Sequence, residues 1–266
     1  MTQTGTNATT RTEEQPTAKI QTKEAAVKTQ QAKREAAEAT VAAEIRSGAK
    51  ITTVLFDLDG TIIDTNELII QSFMHALRGH VPESFGREQI IPSMGEPLAV
   101  QMKHFSGRDD VATLVGAYRE YNLLKHDEMV SLFPGVKETI ERLHREGVRL
   151  GVVTTKMRET TIRALKLLEI YSYMDTIVTL DDVENAKPHP EPVEKAVAAL
   201  GAKASETLMV GDSSVDIVSA LRAGAVPVGV AWSLKGEELL RKSGASYIVT
   251  EMDELLALCG IGNEGA

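Results

Sequence analysis

Ile51-Thr52-Thr53-Val54-Leu55-Phe56-Asp57-Leu58-Asp59-Gly60-Thr61 starts as a β-branched and apolar run and breaks off into two carboxylates and a glycine. The first half, Ile51–Phe56, has the make-up of a strand buried in a parallel sheet. The second half lies where that strand ends. In an open α/β sheet this end faces the ligand crevice. Gly60 provides the backbone freedom for a turn there. An ordinary polar turn uses the same residue types, so the stretch needs partners elsewhere in the chain before it means chemistry.

Working outward, four further apolar runs read as strands: Val148–Thr154, Thr176–Thr179, Thr207–Val210 and Val226–Ala231. Helical stretches alternate with them at Val136–Arg145, Thr160–Leu168, Pro190–Leu200, Ser213–Ala223 and Gly236–Ser243. Strand, helix, strand, helix with short links predicts an α/β fold, a Rossmann-like, doubly wound parallel sheet. One link is far too long. About 90 residues separate the first two strands, whereas a crossover needs only a dozen or so. Within the excess, Leu68, Ile69, Phe73 and Leu77 recur at one-turn spacing, as do Val111, Leu114, Val115, Tyr118 and Tyr121. The excess therefore reads as an inserted α-helical cap over residues 67–133. The core is then 50–66 together with 134–260, and 261–266 is a disordered end.

Charge is unevenly distributed over the 266 residues. Residues 1–50 hold eight Lys/Arg against six Glu, leaving 21 basic against 32 acidic groups in the remainder. So acidic a body is unsuited to binding nucleic acid, which needs a basic face. Residues 1–49 contain ten Thr and eleven Ala but no Leu, Phe, Tyr or Trp. Such a segment buries too little apolar surface to offset its ordering entropy. It reads as a disordered or weakly helical tail, with a protein partner as the sharper alternative. No apolar run is long enough to span a membrane, and no apolar leader precedes the tail. The single cysteine, Cys259, rules out an internal disulfide and suits a reducing, cytoplasmic setting.

Three more stretches place polar residues at strand ends. Thr154-Thr155-Lys156 follows the second strand, Lys187-Pro188-His189-Pro190 opens the helix after the third, and Gly211-Asp212-Ser213-Ser214-Val215-Asp216 follows the fourth. Each has a plain alternative: a strand-end hydroxyl, a solvated loop charge, a helix N-cap. Their common placement outweighs these alternatives, because all can converge on one crevice. The six histidines are scattered and show no zinc spacing; they are read as structural or surface residues.

In order, the four stretches resemble the four motifs of the haloacid dehalogenase superfamily of phosphotransferases. The resemblance covers about residues 51–258. It implies a sheet of strand order 3-2-1-4-5, with the site between strands one and four. It also implies Asp57 as nucleophile, Asp59 as general acid and base, and Thr154 and Lys187 as ligands of the transferring phosphoryl group. Gly60, Thr155 and Lys156 would border the substrate. Mg²⁺ would be held by Asp57, Asp59 and Asp212, two carboxylates plus a carbonyl, a donor set that suits it. Asp216 and Ser213 would support the site. A carboxylate nucleophile divides hydrolysis into two steps through an aspartyl-phosphate, and an acid two residues on serves the leaving group.

A helical insert between the first two motifs resembles the group of phosphoglycolate phosphatases, β-phosphoglucomutases and pyrophosphatases. The stretches TIIDTNELII (61–70), GVVTTK (151–156), VTLDDVENAKP (178–188), MVGDSSVDI (209–217) and GVAWSLKG (229–236) resemble the bacterial pyrophosphatases most. That resemblance implies Mg²⁺-dependent hydrolysis of pyrophosphate, partly supplied by dephosphorylation of serine-phosphorylated HPr. Lys156, Lys103, Arg119 and Lys125 are candidates for contacting the second phosphate, and Glu67 for placing metal or water. A phosphomonoesterase such as phosphoglycolate phosphatase is the alternative. A non-enzymatic scaffold would not need Asp57, Asp59, Lys187 and Asp212 together.

Overall fold

The computed structural model describes residues 50–262. The tail expected at 1–49 and the last four residues lie outside them. Six strands form one parallel sheet: β1 (Thr53–Phe56), β4 (Arg149–Val153), β5 (Thr176–Val178), β6 (Thr207–Gly211), β7 (Val226–Val230) and β8 (Tyr247–Val249). Their order is β5-β4-β1-β6-β7-β8. The expected five-strand order therefore gains a sixth member, β8, at the β7 edge. Its three residues gave too short a run to be read as a strand. β1 is central, with Val54 opposite both Leu150 and Leu208, and Phe56 opposite Val152 and Val210.

Side chains alternate along a strand, so one strand serves two cores. Val54 and Phe56 join the apolar cluster that includes Ile140, Leu143, Ala164 and Leu255. These four come from helices α5 (Val136–Arg145), α6 (Arg158–Leu167) and α10 (Glu254–Leu258). Leu55 points the other way, to Val193, Ala196 and Ala220, on α7 (Glu191–Ala199) and α8 (Ser214–Ala223). Helices cover both faces, which is why the strands read as continuous apolar runs.

The long link carries helices α1 (Asn66–Ala76), α2 (Arg87–Ile90), α3 (Leu98–Ser106) and α4 (Ala112–Met129). They gather around an apolar cluster of their own, including Phe73, Leu77, Met102 and Leu114. Phe73 meets Phe105 edge-on at 5.4 Å, a favourable aromatic geometry. Two short strands, β2 (Ile63–Asp64) and β3 (Ser131–Leu132), pair antiparallel where the chain leaves the sheet and where it returns. α9 (Glu237–Lys242) follows β7. No helix among the described residues is long and apolar enough to cross a membrane.

Gly211 ends β6 with its Cα facing α8. A Cβ there would lie 2.3 Å from the Cβ of Asp216, a distance that backbone and side chain could relieve only by moving apart. Gly211→Ala should therefore lower stability by about 1–3 kcal/mol and reduce activity, as read by denaturant unfolding and phosphate release.

Candidate active site

The β1 ladder runs one residue past the strand, with Asp57 N–H donating to Val210 O at 2.8 Å. A tight turn follows: Ile63 N–H donates to Leu58 O at 3.0 Å and Gly60 N–H to Ile63 O at 2.9 Å. Gly60 has φ +82°, and a Cβ on it would stand 2.8 Å from Asp212 Oδ2. Its left-handed backbone and missing side chain together let this turn close onto the β6 turn.

Lys187 arrives from the β5–α7 connection and is only 1% exposed. Its ammonium donates to Asp57 Oδ1 at 2.6 Å, Asp216 Oδ1 at 2.6 Å and Val153 O at 2.8 Å. All three of its donors are thus used. Asp216 lies in the first turn of α8, which Ser213 caps. Its Oδ2 accepts from Ser213 N–H at 3.0 Å and from the Ser213 hydroxyl at 2.5 Å. Carboxylate oxygens of Asp57, Asp212 and Asp216 lie within 4.8 Å of one another, all buried.

Three buried acids this close resist ionising together. Burial pushes the Asp57 carboxyl up to about 8; Lys187 opposes this, and Asp216 and Asp212 add to it. Asp212 is also raised, by burial first, with Lys235 working the other way. Burial would lower the Lys187 ammonium, but Asp216 and Asp57 outweigh it and hold it above the ordinary lysine range. The cluster is therefore short of positive charge. An all-oxygen donor set short of positive charge fits a hard divalent cation. Both oxygens of Asp216 are held at 2.5–3.0 Å, whereas Asp57 Oδ2 meets a hydroxyl at 3.4 Å and Asp212 is held through Oδ2 alone, so Asp57 and Asp212 are the carboxylates more open to one.

Asp59 faces elsewhere. Its carboxylate accepts from Lys156 Nζ at 3.0 and 3.1 Å and from the Thr65 hydroxyl at 2.8 Å. Thr154 N–H continues the β4 ladder to Val178 O at 3.0 Å, and the Thr154 hydroxyl accepts from Lys156 N–H at 3.2 Å. Asp57, Asp59, Thr154, Thr155 and Lys156 all border a cavity of about 660 Å³ between the sheet's C-terminal edge and helices α1, α3 and α4. The Thr155 hydroxyl donates across it to Gly95 O at 3.0 Å.

Residues 54–230 match the haloacid dehalogenase-like hydrolase family. The chain belongs to the haloacid dehalogenase-like hydrolases. Pyrophosphatase PpaX of Halalkalibacterium halodurans is 45% identical over 212 residues, which span 80% of this chain and 98% of that protein. PpaX of Anoxybacillus flavithermus is 44% identical over 211 residues, 79% of this chain and 98% of that one. A solved haloacid dehalogenase-like hydrolase from Streptococcus pneumoniae superposes with a TM-score of 0.70 at 27% identity, over 78% of this chain and 97% of that one. The chain is accordingly a phosphatase of the haloacid dehalogenase superfamily.

Within this hydrolase several expected residues stand apart from the cavity. Of the four cations considered for a second phosphate, Lys156 and Arg119 border it, and Lys103 and Lys125 do not. Lys125 instead meets Glu128 at 2.9 Å. Glu67 pairs with Arg87 at 2.8 Å on the surface, away from the carboxylates. Cys259 is buried, and burial pushes its thiol up to about 12, which suits packing and not nucleophilic attack. Sequence reasoning missed Thr65, the hydroxyl on Asp59, and Lys235, whose ammonium lies 2.5 Å from Asp212 Oδ2. Lys235 lies five residues past the end of β7, the neighbour of β6, too far for the strand-end rule that found the other residues.

Proposed function

We propose that the chain hydrolyses inorganic pyrophosphate to two phosphates with Mg²⁺ as cofactor, through an aspartyl-phosphate on Asp57. The observation that carries this reading is the buried meeting of Asp57 with Lys187 at 2.6 Å and with Asp212 within 4.8 Å, at the mouth of a cavity. The choice of pyrophosphate is supported by the PpaX relatives, matched over nearly their whole length.

Asp57 and Asp212, with a carbonyl of the Asp59 turn, would hold Mg²⁺, which when bound supplies positive charge against the phosphoryl oxygens. Lys187 fixes Asp57 Oδ1, leaving Oδ2 to attack phosphorus; among the described residues that oxygen accepts a side-chain hydrogen bond only from the Thr61 hydroxyl, at 3.4 Å. As the Asp57–phosphorus bond forms, the bond to the leaving phosphate breaks and Asp59 gives that phosphate a proton. Before this step Lys156 releases Asp59, a phosphoryl oxygen being a suitable new partner for its ammonium, and the freed Asp59 takes up a proton from solvent. Asp59 then takes a proton from water, which attacks the aspartyl-phosphate and restores Asp57. Thr154 and the Thr155 hydroxyl orient the group being transferred. Residues 67–133 act as the cap over a core of 50–66 and 134–260, and cap closure excludes water.

Of the cavity's cations, Lys156 and Arg158 are held by Asp59 and Asp182. Arg119 on α4 is the one without an ion pair among the described residues, and we assign it to the second phosphate. Arg119→Ala should raise KM for pyrophosphate by about tenfold, the loss of one charged hydrogen bond, with kcat changing less. Steady-state phosphate release measures both. An unchanged KM would leave Arg119 a surface charge.

Ile69, Phe73, Met94, Leu98 and Leu123 also border the cavity, and this apolar wall favours the second reading, a phosphomonoester with a carbon skeleton. Comparing kcat/KM for pyrophosphate and phosphoglycolate with Mg²⁺ separates the two. A clear preference for phosphoglycolate overturns the first.

A further inference from the structure

Lys235 belongs to none of the four strand-end stretches, yet its side chain is only 3% exposed and its ammonium reaches Asp212 Oδ2 at 2.5 Å. The turn that carries it is tied to both neighbouring turns. Trp232 Nε1–H donates to Thr61 O at 3.2 Å, after β1. The Ser233 hydroxyl donates to Asp212 O at 2.6 Å, after β6, and accepts from Lys235 N–H at 3.1 Å. The backbone is therefore fixed, and the ammonium reaches Asp212 on a four-carbon stem with rotatable bonds.

The two buried lysines of the site differ in how fully they are held. Lys187 spends three N–H donors on three oxygens. Lys235 spends one, on Asp212, and two of its donors have no hydrogen-bond acceptor among the described residues. Its single ion pair is made to the carboxylate read as a cation ligand. A divalent cation on Asp212 would stand within a few ångströms of the ammonium, where like charges in a buried site repel strongly.

We propose that Lys235 is a built-in counter-ion on Asp212, displaced when a divalent cation binds, so that cation binding to this chain is an exchange. The inference rests on the reading of Asp212 as a cation ligand. In this arrangement Lys235 offsets the charge of Asp212, one of the three clustered acids, before the cation arrives, and weakens cation binding in return.

The test is calorimetric titration of metal-stripped, full-length protein with MgCl₂, without substrate. K235M keeps the length of the side chain and loses its charge; it should bind Mg²⁺ about tenfold more tightly or better, as removal of a close repulsive charge requires. Its melting temperature should fall below wild type without Mg²⁺ and recover when saturated with Mg²⁺. If K235M does not fold without cation, K235Q, which retains a hydrogen-bond donor, is titrated in its place with the same expectation. Affinity equal to wild type within about threefold, or weaker, overturns the exchange and makes Lys235 an orienting residue whose charge does not compete. D212N separates this failure from that of the underlying reading. If D212N binds Mg²⁺ as wild type does, Asp212 is no ligand, whatever Lys235 does.

Discussion

Asp57→Asn abolishes turnover and leaves the protein folded. The amide matches the carboxylate in shape, so β1, its turn and the packing against β6 need no adjustment. It still accepts from Lys187 at the position of Oδ1, and Lys187 keeps Asp216 and Val153 O as partners. Stability should not suffer. The wild-type carboxyl is buried among two other acids and is pushed up to about 8, so its surroundings disfavour the charged form and an uncharged amide is not penalised there. Chemistry, in contrast, loses the proposed nucleophile. The expected fall in kcat is on the order of 10⁴ or more, the scale seen when a covalent nucleophile is deleted. Phosphate release under saturating pyrophosphate and Mg²⁺, with circular dichroism as the check on folding, measures both halves. Activity retained within about tenfold would refute a covalent intermediate on Asp57.

Lys187→Met should differ in harming stability as well as rate. The ammonium is the shared partner of two buried carboxylates. Removing one member of a buried pair strands its partner's charge, at about 3–5 kcal/mol. The transition state loses a fixed cation as well, on the order of 3 kcal/mol. A second substitution tells the two effects apart. In the double variant K187M/D216N one stranded charge is gone, so denaturant midpoints should recover much of the loss. Turnover should stay low, because nothing replaces the cation beside Asp57. If the double variant regained activity together with stability, Lys187 would be a structural residue only.

The sheet was legible because β1, β4, β6 and β7 are covered on both faces and so are apolar beyond their first residues. The chemistry was legible because polar residues interrupt those runs at the same end: Asp57, Thr154 and Asp212 each stand one residue beyond a strand. Lys187 was legible from its place before a helix. Partners in space were not. Nothing in Asp59-Gly60-Thr61 shows that Asp59 turns toward Lys156 and Thr65 and away from the acid cluster. Asp216 could be read as a supporting residue, but the saturation of both its oxygens depends on Ser213 and Lys187, the latter 29 residues away. β8 was missed because a three-residue run at a sheet edge carries little signal. Lys235 was missed because it lies five residues past its strand, inside a turn that only contacts with Thr61 and Asp212 explain. Among the candidate cations, spacing along α3 and α4 could not tell which helix face meets the cavity, and this is what separates Arg119 from Lys103 and Lys125.

The two-residue ladder of β2 and β3 has a consequence for how such a molecule can vary. Ile63 pairs with Leu132 and also bridges to Asp59, so a single rung holds the outgoing thread, the returning thread and the residue proposed as proton donor. Everything between those two threads can be exchanged as a cassette while the rung keeps its register. A swing of the cassette about that rung would also act as a gear on the donor, coupling admission of the next molecule to the angle at which the proton is presented.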